Sequence, residues 1–275
     1  KEKGPVISRA FLVRPRCGER QRALPATAAT TTATAGAATV ATATAATPTE
    51  ATRTTAATTG AGVNGCRPLF VGAWMPVTFL HYEIVPAVLQ TYVPFELDCR
   101  DGVAYVSVVA FTQQGLRLKW GGALTGWAGA LVANHDFLNV RTYVRHRGEE
   151  GIYFLAEWVN NRLAARLGPW LYGLPYRLGT IDYRDGLGGC VTGLAGRFSY
   201  RVVEELPRTA AGWEEFLLER YVAFTARGGV RRKFVVAHPP WPQSPVLARV
   251  DDVGLLRGTF PWWGVAGNGG VGLRW

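Results

Sequence analysis

Residues 172–183 read YGLPYRLGTIDY, which puts a phenol and a guanidinium, Tyr176 and Arg177, directly after a Gly173-Leu174-Pro175 turn. A neighbouring cation stabilises a phenolate, so Tyr176 is a candidate general acid with Arg177 as the group that tunes it. His81 and Glu83 lie two residues apart in TFLHYEI (78–84) and so share one face of a strand. Such a pair suits acid–base chemistry or ligand orientation, and equally a structural histidine held by its neighbours. Asn139, Arg141 and Tyr143 alternate along FLNVRTYVR (137–145). If that face lines a cavity, Arg141 is an anion clamp for a carboxylate or phosphate; if it meets water, the three are ordinary surface residues. Asn161, at the start of the next helical pattern, is either a cap or a further ligand contact.

Other chemistries have no support. There is no G-x-S-x-G elbow. The histidines His81, His135, His146 and His238 are widely spaced, with neither HxH nor HExxH. The cysteines Cys17, Cys66, Cys99 and Cys190 form no CxxC pair. GLGG (186–189) and GNGG (267–270) read as turns without a following helix. The expectation is therefore no metal and no cofactor.

The chain of 275 residues carries a net charge of +10. Eight basic and three acidic residues precede Arg67, so half the excess lies there, and the remaining arginines are scattered apart from Arg231-Arg232-Lys233. That distribution argues against a specific nucleic-acid interface. No apolar run is long enough for a membrane helix.

These residues must be positioned by the segment after the tail. Residues 24–62 are almost pure Ala and Thr and cannot bury enough apolar surface to offset their ordering entropy. Residues 1–66 are accordingly expected to be a disordered tail, and residues 67–275 one domain. The Arg-, Thr- and Ala-rich tail is compositionally either a linker or an organellar transit signal, so the expected location is the cytoplasm, or an organelle in the second case.

Strands are expected over 78–84 and 103–112, joined through a helix at PAVLQTY (86–92), extended VPFELDC (93–99) and an Asp101-Gly102 turn. A long loop over 113–135 precedes the strands 137–145 and 151–159. A helix over 160–174 shows a stripe of Leu163, Leu167, Trp170 and Leu171. Strands 176–184 and 190–203, a helix 213–224, irregular AHPPWP (237–242), and strands 244–253 and 270–275 complete the pattern. It predicts an α+β domain, mainly antiparallel sheet with about three helices and no βαβ repeat.

Several phrases occur in a distinctive order: FLHYEIVPAVLQTYVPFELDCRDGVAYVSVVAF, FLNVRTYV, GIYFLAEWVNNRLAARLGPWLYGLPYRL, FLLERYVAFT and HPPWP. Together, from about Trp74 to at least Trp241, they resemble the YqjF-like family, a domain of unknown function (2071) placed with acetoacetate decarboxylase-like proteins. The resemblance implies a curved antiparallel sheet closing toward a cone or barrel around a pocket. The decarboxylase relatives carry a Gly-x-Pro-Lys-Lys turn whose first lysine forms a Schiff base and whose second lowers its pKa. Here the similar turn is Gly173-Leu174-Pro175-Tyr176-Arg177, with a phenol at the imine position. The relatives' strand carboxylate falls near Asn139 to Arg141. The only lysines after the tail are Lys119 and Lys233. The expected function is a pocket for an organic acid or carbonyl compound without Schiff-base chemistry, with Tyr176, Arg177 and His81 as candidate catalytic groups. The alternative is a ligand sensor or interaction module without turnover. A homo-oligomer is compatible with either.

Overall fold

In the computed structural model, residues 8–12, 40–45, 70–118, 130–184, 187–205, 213–238 and 244–266 are described. They form one large, mostly antiparallel sheet with a few short helices, in line with the α+β expectation.

The central strands are β3 (Phe70–Ile84), β5 (Ala104–Leu118), β6 (His135–His146) and β7 (Glu149–Val159), paired antiparallel in that order. Helix α1 (Pro86–Gln90) and the two-residue strand β4 (Glu96–Leu97) connect β3 to β5. Two tight turns are present: Arg147-Gly148 joins β6 to β7 at the His146–Glu149 pair, and Asp101-Gly102 closes the Arg100–Val103 bridge before β5. Asp101 and Gly102 have φ of 53° and 78°, and Arg147 and Gly148 have 54° and 76°. Consecutive positive φ values are what a two-residue hairpin turn with matching twist requires. β5 runs on to Leu118, so residues 113–118 are strand where the sequence reading has a loop; Gln113 and Gln114 pair with Trp74 and Ala73.

After β7 the chain crosses over through α2 (Arg162–Tyr172) into the short β8 (Tyr176–Leu178), which pairs parallel with β7. This single βαβ crossover is absent from the sequence reading. Asn161 caps α2, accepting from the amides of Leu163 and Ala164, and Gly173 ends it at φ 71°. The buried face of α2 is Ala164, Gly168 and Tyr172, whereas Leu163, Trp170 and Leu171 are exposed. The expected leucine stripe is therefore the outer face. The helix lies too close to β8 for large side chains: a Cβ on Gly168 would come within 2.3 Å of the Tyr176 ring.

β9 (Thr180–Tyr183), β10 (Gly188–Gly193) and β11 (Gly196–Glu205) form a meander, so the expected strands 176–184 and 190–203 are each broken in two. α3 (Trp213–Leu218) is followed by β12 (Val222–Arg227), β13 (Val230–Ala237) and β14 (Ser244–Asp252). The helix expected over 213–224 thus stops at Leu218. Val222 to Phe224 instead pair in the sheet, antiparallel to β13 and parallel to β7. α4 (Gly254–Thr259) and α5 (Trp263–Ala266) were not anticipated, and the strand expected over 270–275 lies outside the described residues.

Within 1–66, where no element was expected, β1 (Ser8–Leu12) and β2 (Val40–Ala45) are strands; the rest of that segment lies outside the described residues. Backbone pairing needs no large side chain, and Thr and Val tolerate extended geometry well. β1 bonds to both β13 and β3, which closes the circuit β3-β5-β6-β7-β12-β13-β1.

The central strands are buried on both faces. Leu80, Val106, Val108, Leu138, Val140 and Ala156 pack outward against β10, β11, β14 and α4. Phe79, Val109, Phe111, Phe137, Ile152 and Phe154 point into the circuit, together with Phe234 and Val236 of β13. At about 25 cal/mol per Å² of apolar area, these two layers supply the main driving force for the fold.

Candidate functional site

The interior of the strand circuit holds a cavity of about 90 Å³. Its walls are mostly aromatic and aliphatic, and the polar lining residues include Gln113, Asn139, Arg141, Glu157, Tyr176 and Arg220.

Strand alternation places Phe137, Asn139, Arg141 and Tyr143 on the inward face of β6. β7 follows the alternation only with the help of a bulge. Val140 pairs with Ala156 but Arg141 pairs with Phe154, so one residue of β7 is skipped. The extra residue, Leu155, packs into the outer core, and both Phe154 and Glu157 face the cavity. Asn139 lies directly opposite Glu157, and Glu157 lies opposite Tyr176 on β8. Three adjacent strands therefore present one row: Asn139, Glu157, Tyr176.

Arg141 is 8 % exposed. Its Nη2 donates to the Leu217 carbonyl at 3.1 Å, its Nε has no partner, and its guanidinium lies 5.1 Å from the Phe79 ring centre. No carboxylate of the described residues pairs with it. Burial lowers its pKa, Tyr143 raises it, and the nearby Arg220 lowers it. Arg220 also reaches the cavity wall, but its Nη1 already holds Asp98 and Glu150, each at 2.9 Å. Among the described residues, Arg141 is a lining guanidinium that pairs with no carboxylate.

Glu157 is 4 % exposed, and its Oε2 has no hydrogen-bond partner. Burial raises its carboxyl well above the ordinary value, so the neutral acid is favoured. Asn139 is 6 % exposed, with Oδ1 likewise unpartnered. The Tyr176 ring packs edge-on against Phe137 at 5.5 Å. Burial pushes its phenol well above the usual range, with Glu157 and then Tyr172 adding to the effect.

The other candidates separate. Arg177 points outward, exposed, with its guanidinium 5.9 Å from the Trp158 ring centre. Successive strand residues face opposite sides, so the Tyr176-Arg177 neighbours in sequence are split by the sheet, and Arg177 does not tune the phenol. His81 is not among the described residues lining the cavity. Its Nδ1 meets Ser107 Oγ at 2.8 Å, and Ser107 Oγ meets Tyr143 OH at 2.5 Å. Burial first, and Arg141 second, push His81 down to about 3, which favours the neutral ring. Tyr143 donates to the Leu217 carbonyl at 2.9 Å, supporting Arg141 rather than lining the cavity. Glu83 accepts from Tyr105 OH at 3.5 Å and is not among the lining residues. Asn161 is committed to its cap and donates to the Leu131 carbonyl at 2.7 Å.

Glu157 was missed by sequence reasoning. It stands in GIYFLAEWV, whose alternation gives no reason to place Glu157 and Phe154 on one face, because the bulge that does so leaves no clear mark in the residues. The one available signal was an acidic residue in an otherwise apolar strand. Gln113 was missed because it lies in the stretch read as loop; it accepts from Trp74 Nε1 at 2.5 Å on the cavity wall. Lys233, the one lysine among the described residues, pairs with Glu149 away from the cavity; Lys119 lies outside the described residues. No group of three or more metal-ligating side chains occurs among the described residues, and none of their helices is long and apolar enough to cross a membrane.

The sequence profile of DUF2071, described as an uncharacterized conserved protein, matches residues 72–260. Uncharacterized protein YqjF of Bacillus subtilis (strain 168) is 34% identical over 105 residues, 38% of this chain and 41% of that protein. The match thus spans about two fifths of that relative's length. Among solved structures, acetoacetate decarboxylase from Legionella pneumophila is 13% identical, with a TM-score of 0.45 over 66% of this chain and 84% of that one. An acetoacetate decarboxylase-like enzyme from Sphingomonas wittichii RW1 is 13% identical, with a TM-score of 0.40 over 78% and 91%. The enduracididine biosynthesis enzyme MppR complexed with pyruvate is 12% identical, with a TM-score of 0.40 over 66% and 90%.

Proposed function

The chain belongs to the DUF2071 family, and we propose that its cavity binds a small organic acid through Arg141, without Schiff-base chemistry. The observation that carries this reading is a buried guanidinium at a cavity wall that pairs with no carboxylate of the described residues. A buried charge without a counter-ion is costly, and an incoming carboxylate relieves that cost while gaining charge-assisted hydrogen bonds. The apolar walls accept the rest of the molecule. The described lining residues include no lysine, and the phenol of Tyr176 cannot form an imine.

One observation favours a binding protein without turnover over an enzyme. The cation expected to activate Tyr176 lies outside the cavity, and the phenol is driven away from ionisation. Tyr176 and Glu157 are then hydrogen-bonding acids rather than bases.

Isothermal titration calorimetry with short monocarboxylates tests the binding, comparing wild type with Arg141→Met. Saturable binding lost in the variant supports the reading; equal binding by both proteins refutes it. Incubation with acetoacetate and cyanoborohydride should leave no adduct, and a trapped imine on any lysine would contradict the chemistry. Product formation in a mass-spectrometric screen of organic acids would reject the non-catalytic version.

A further inference from the structure

The cavity has two polar poles. Arg141 forms one. The row Asn139, Glu157 and Tyr176 forms the other, one residue from each of three adjacent strands. Asn139 and Arg141 are two residues apart on β6, which separates the poles by about 7 Å along the strand. At the second pole, two buried oxygens, Asn139 Oδ1 and Glu157 Oε2, have no hydrogen-bond partner among the described residues. Buried polar atoms are rarely left without partners, and both side chains belong to residues that line the cavity, so a ligand group toward which they turn would satisfy both.

We propose that the ligand is a short hydroxy acid: its carboxylate pairs with Arg141, and its hydroxyl bridges Asn139 and Glu157. This rests on the reading of Arg141 as the carboxylate site. The choice of hydroxyl follows from donors and acceptors. Asn139 Oδ1 needs a donor, and the neutral Glu157 carboxyl offers both a donor and an acceptor. A hydroxyl donates one bond and accepts others, so it satisfies both residues at once. A ketone only accepts and leaves Asn139 Oδ1 unfilled. An ammonium only donates and would require Glu157 to ionise in an apolar wall. A methylene does neither. The size follows from the cavity: 90 Å³ is well below the roughly 150 Å³ that admits benzene, which restricts the acid to a few carbons.

The test is a matched four-carbon series measured by calorimetry on the full chain: butyrate, 3-hydroxybutyrate, 3-oxobutyrate and 3-aminobutyrate. 3-Hydroxybutyrate is expected to bind at least about tenfold tighter than each of the other three. On Glu157→Leu, 3-hydroxybutyrate and butyrate should bind alike. On Glu157→Gln, a neutral isostere, the hydroxy acid should still be preferred over butyrate, which keeps the test available should the leucine variant not fold. Four acids that bind wild type with equal affinity, or a preference for the oxo or amino acid, overturn the hydroxy-acid assignment and leave the carboxylate site standing. No binding by any of the four, or binding indifferent to Arg141→Met, overturns the carboxylate site itself.

Discussion

Arg141 and Glu157 face the same cavity from adjacent strands, yet they do not form an ion pair. Arg141 donates a hydrogen bond from Nη2 to the Leu217 carbonyl, and burial favours the neutral form of Glu157, whose Oε2 has no partner among the described residues. A guanidinium and a carboxyl that neutralised each other would leave an electrically silent pocket. Kept apart, they leave Arg141 without a carboxylate partner among the described residues, and Glu157 with its neutral form favoured by burial.

The first prediction concerns Arg141. Replacing it by Met removes a buried charge with no counter-ion, and the Leu217 carbonyl keeps its bond from Tyr143 OH. The melting temperature should therefore hold or rise, while affinity for monocarboxylates falls at least about tenfold, the size of a charge-assisted hydrogen bond of roughly 1.5–3 kcal/mol. Thermal melts and calorimetry on the same preparation check both halves.

The second concerns Glu157 and pH. Its folded pKa lies above its unfolded value, so above pH 4.5 the unfolded chain releases a proton that the folded protein keeps. Stability from this group falls as pH rises through that window, by about 1.4 kcal/mol per pH unit. Glu157→Gln removes the penalty. The variant should be more stable than wild type at pH 8, and the gap should narrow toward pH 5 in urea titrations.

His81 acts with the opposite sign. It is held neutral, at about 3 against 6.5 unfolded, so its contribution is complete above pH 6.5 and is lost as pH falls toward 3. His81→Leu should flatten the acid limb of the stability profile at some cost in stability near neutrality, because Ser107 loses a partner. A residual acid slope should remain from His135, lowered to about 4 by burial. Denaturant melts from pH 7 to pH 4 read both effects.

Gly168 is the fourth test. A methyl there would meet the Tyr176 ring at 2.3 Å, so Gly168→Ala must shift either α2 or the phenol. Overpacking of this kind costs about 1–3 kcal/mol. The hydroxy-acid preference should weaken along with stability, since Tyr176 sits in the row with Glu157. Pairing Gly168→Ala with Tyr176→Phe distinguishes displacement from loss of the hydroxyl, which alone leaves the ring in place.

Much of this was legible in the residues. The alternation of FLNVRTYVR put Asn139 and Arg141 on one face, and β6 keeps that face inward. The Asp101-Gly102 turn and the Asn161 cap follow from local chemistry that needs only a few neighbours. Local rules failed where distant contacts compete with them. Phe224 reads as the end of an amphipathic helix, but a strand gains pairing with both β7 and β13. Leu163 and Leu171 of α2 recur at helical spacing, but close approach to β8 turns the small residues inward and leaves both leucines exposed.

By itself, the sequence determined that the domain is strand-rich, that no lysine follows Gly173-Leu174-Pro175, and that Arg141 shares a face with Asn139. These depend on residue type and period, which survive without any partner. Only the tertiary structure decided which of Tyr176 and Arg177 faces inward, and that Glu157 stands between Asn139 and Tyr176. The reason is physical: strand alternation allows two mirror choices, and a one-residue bulge reverses them. That choice is made by the parallel docking of β8 on β7, a contact between segments that no local pattern records.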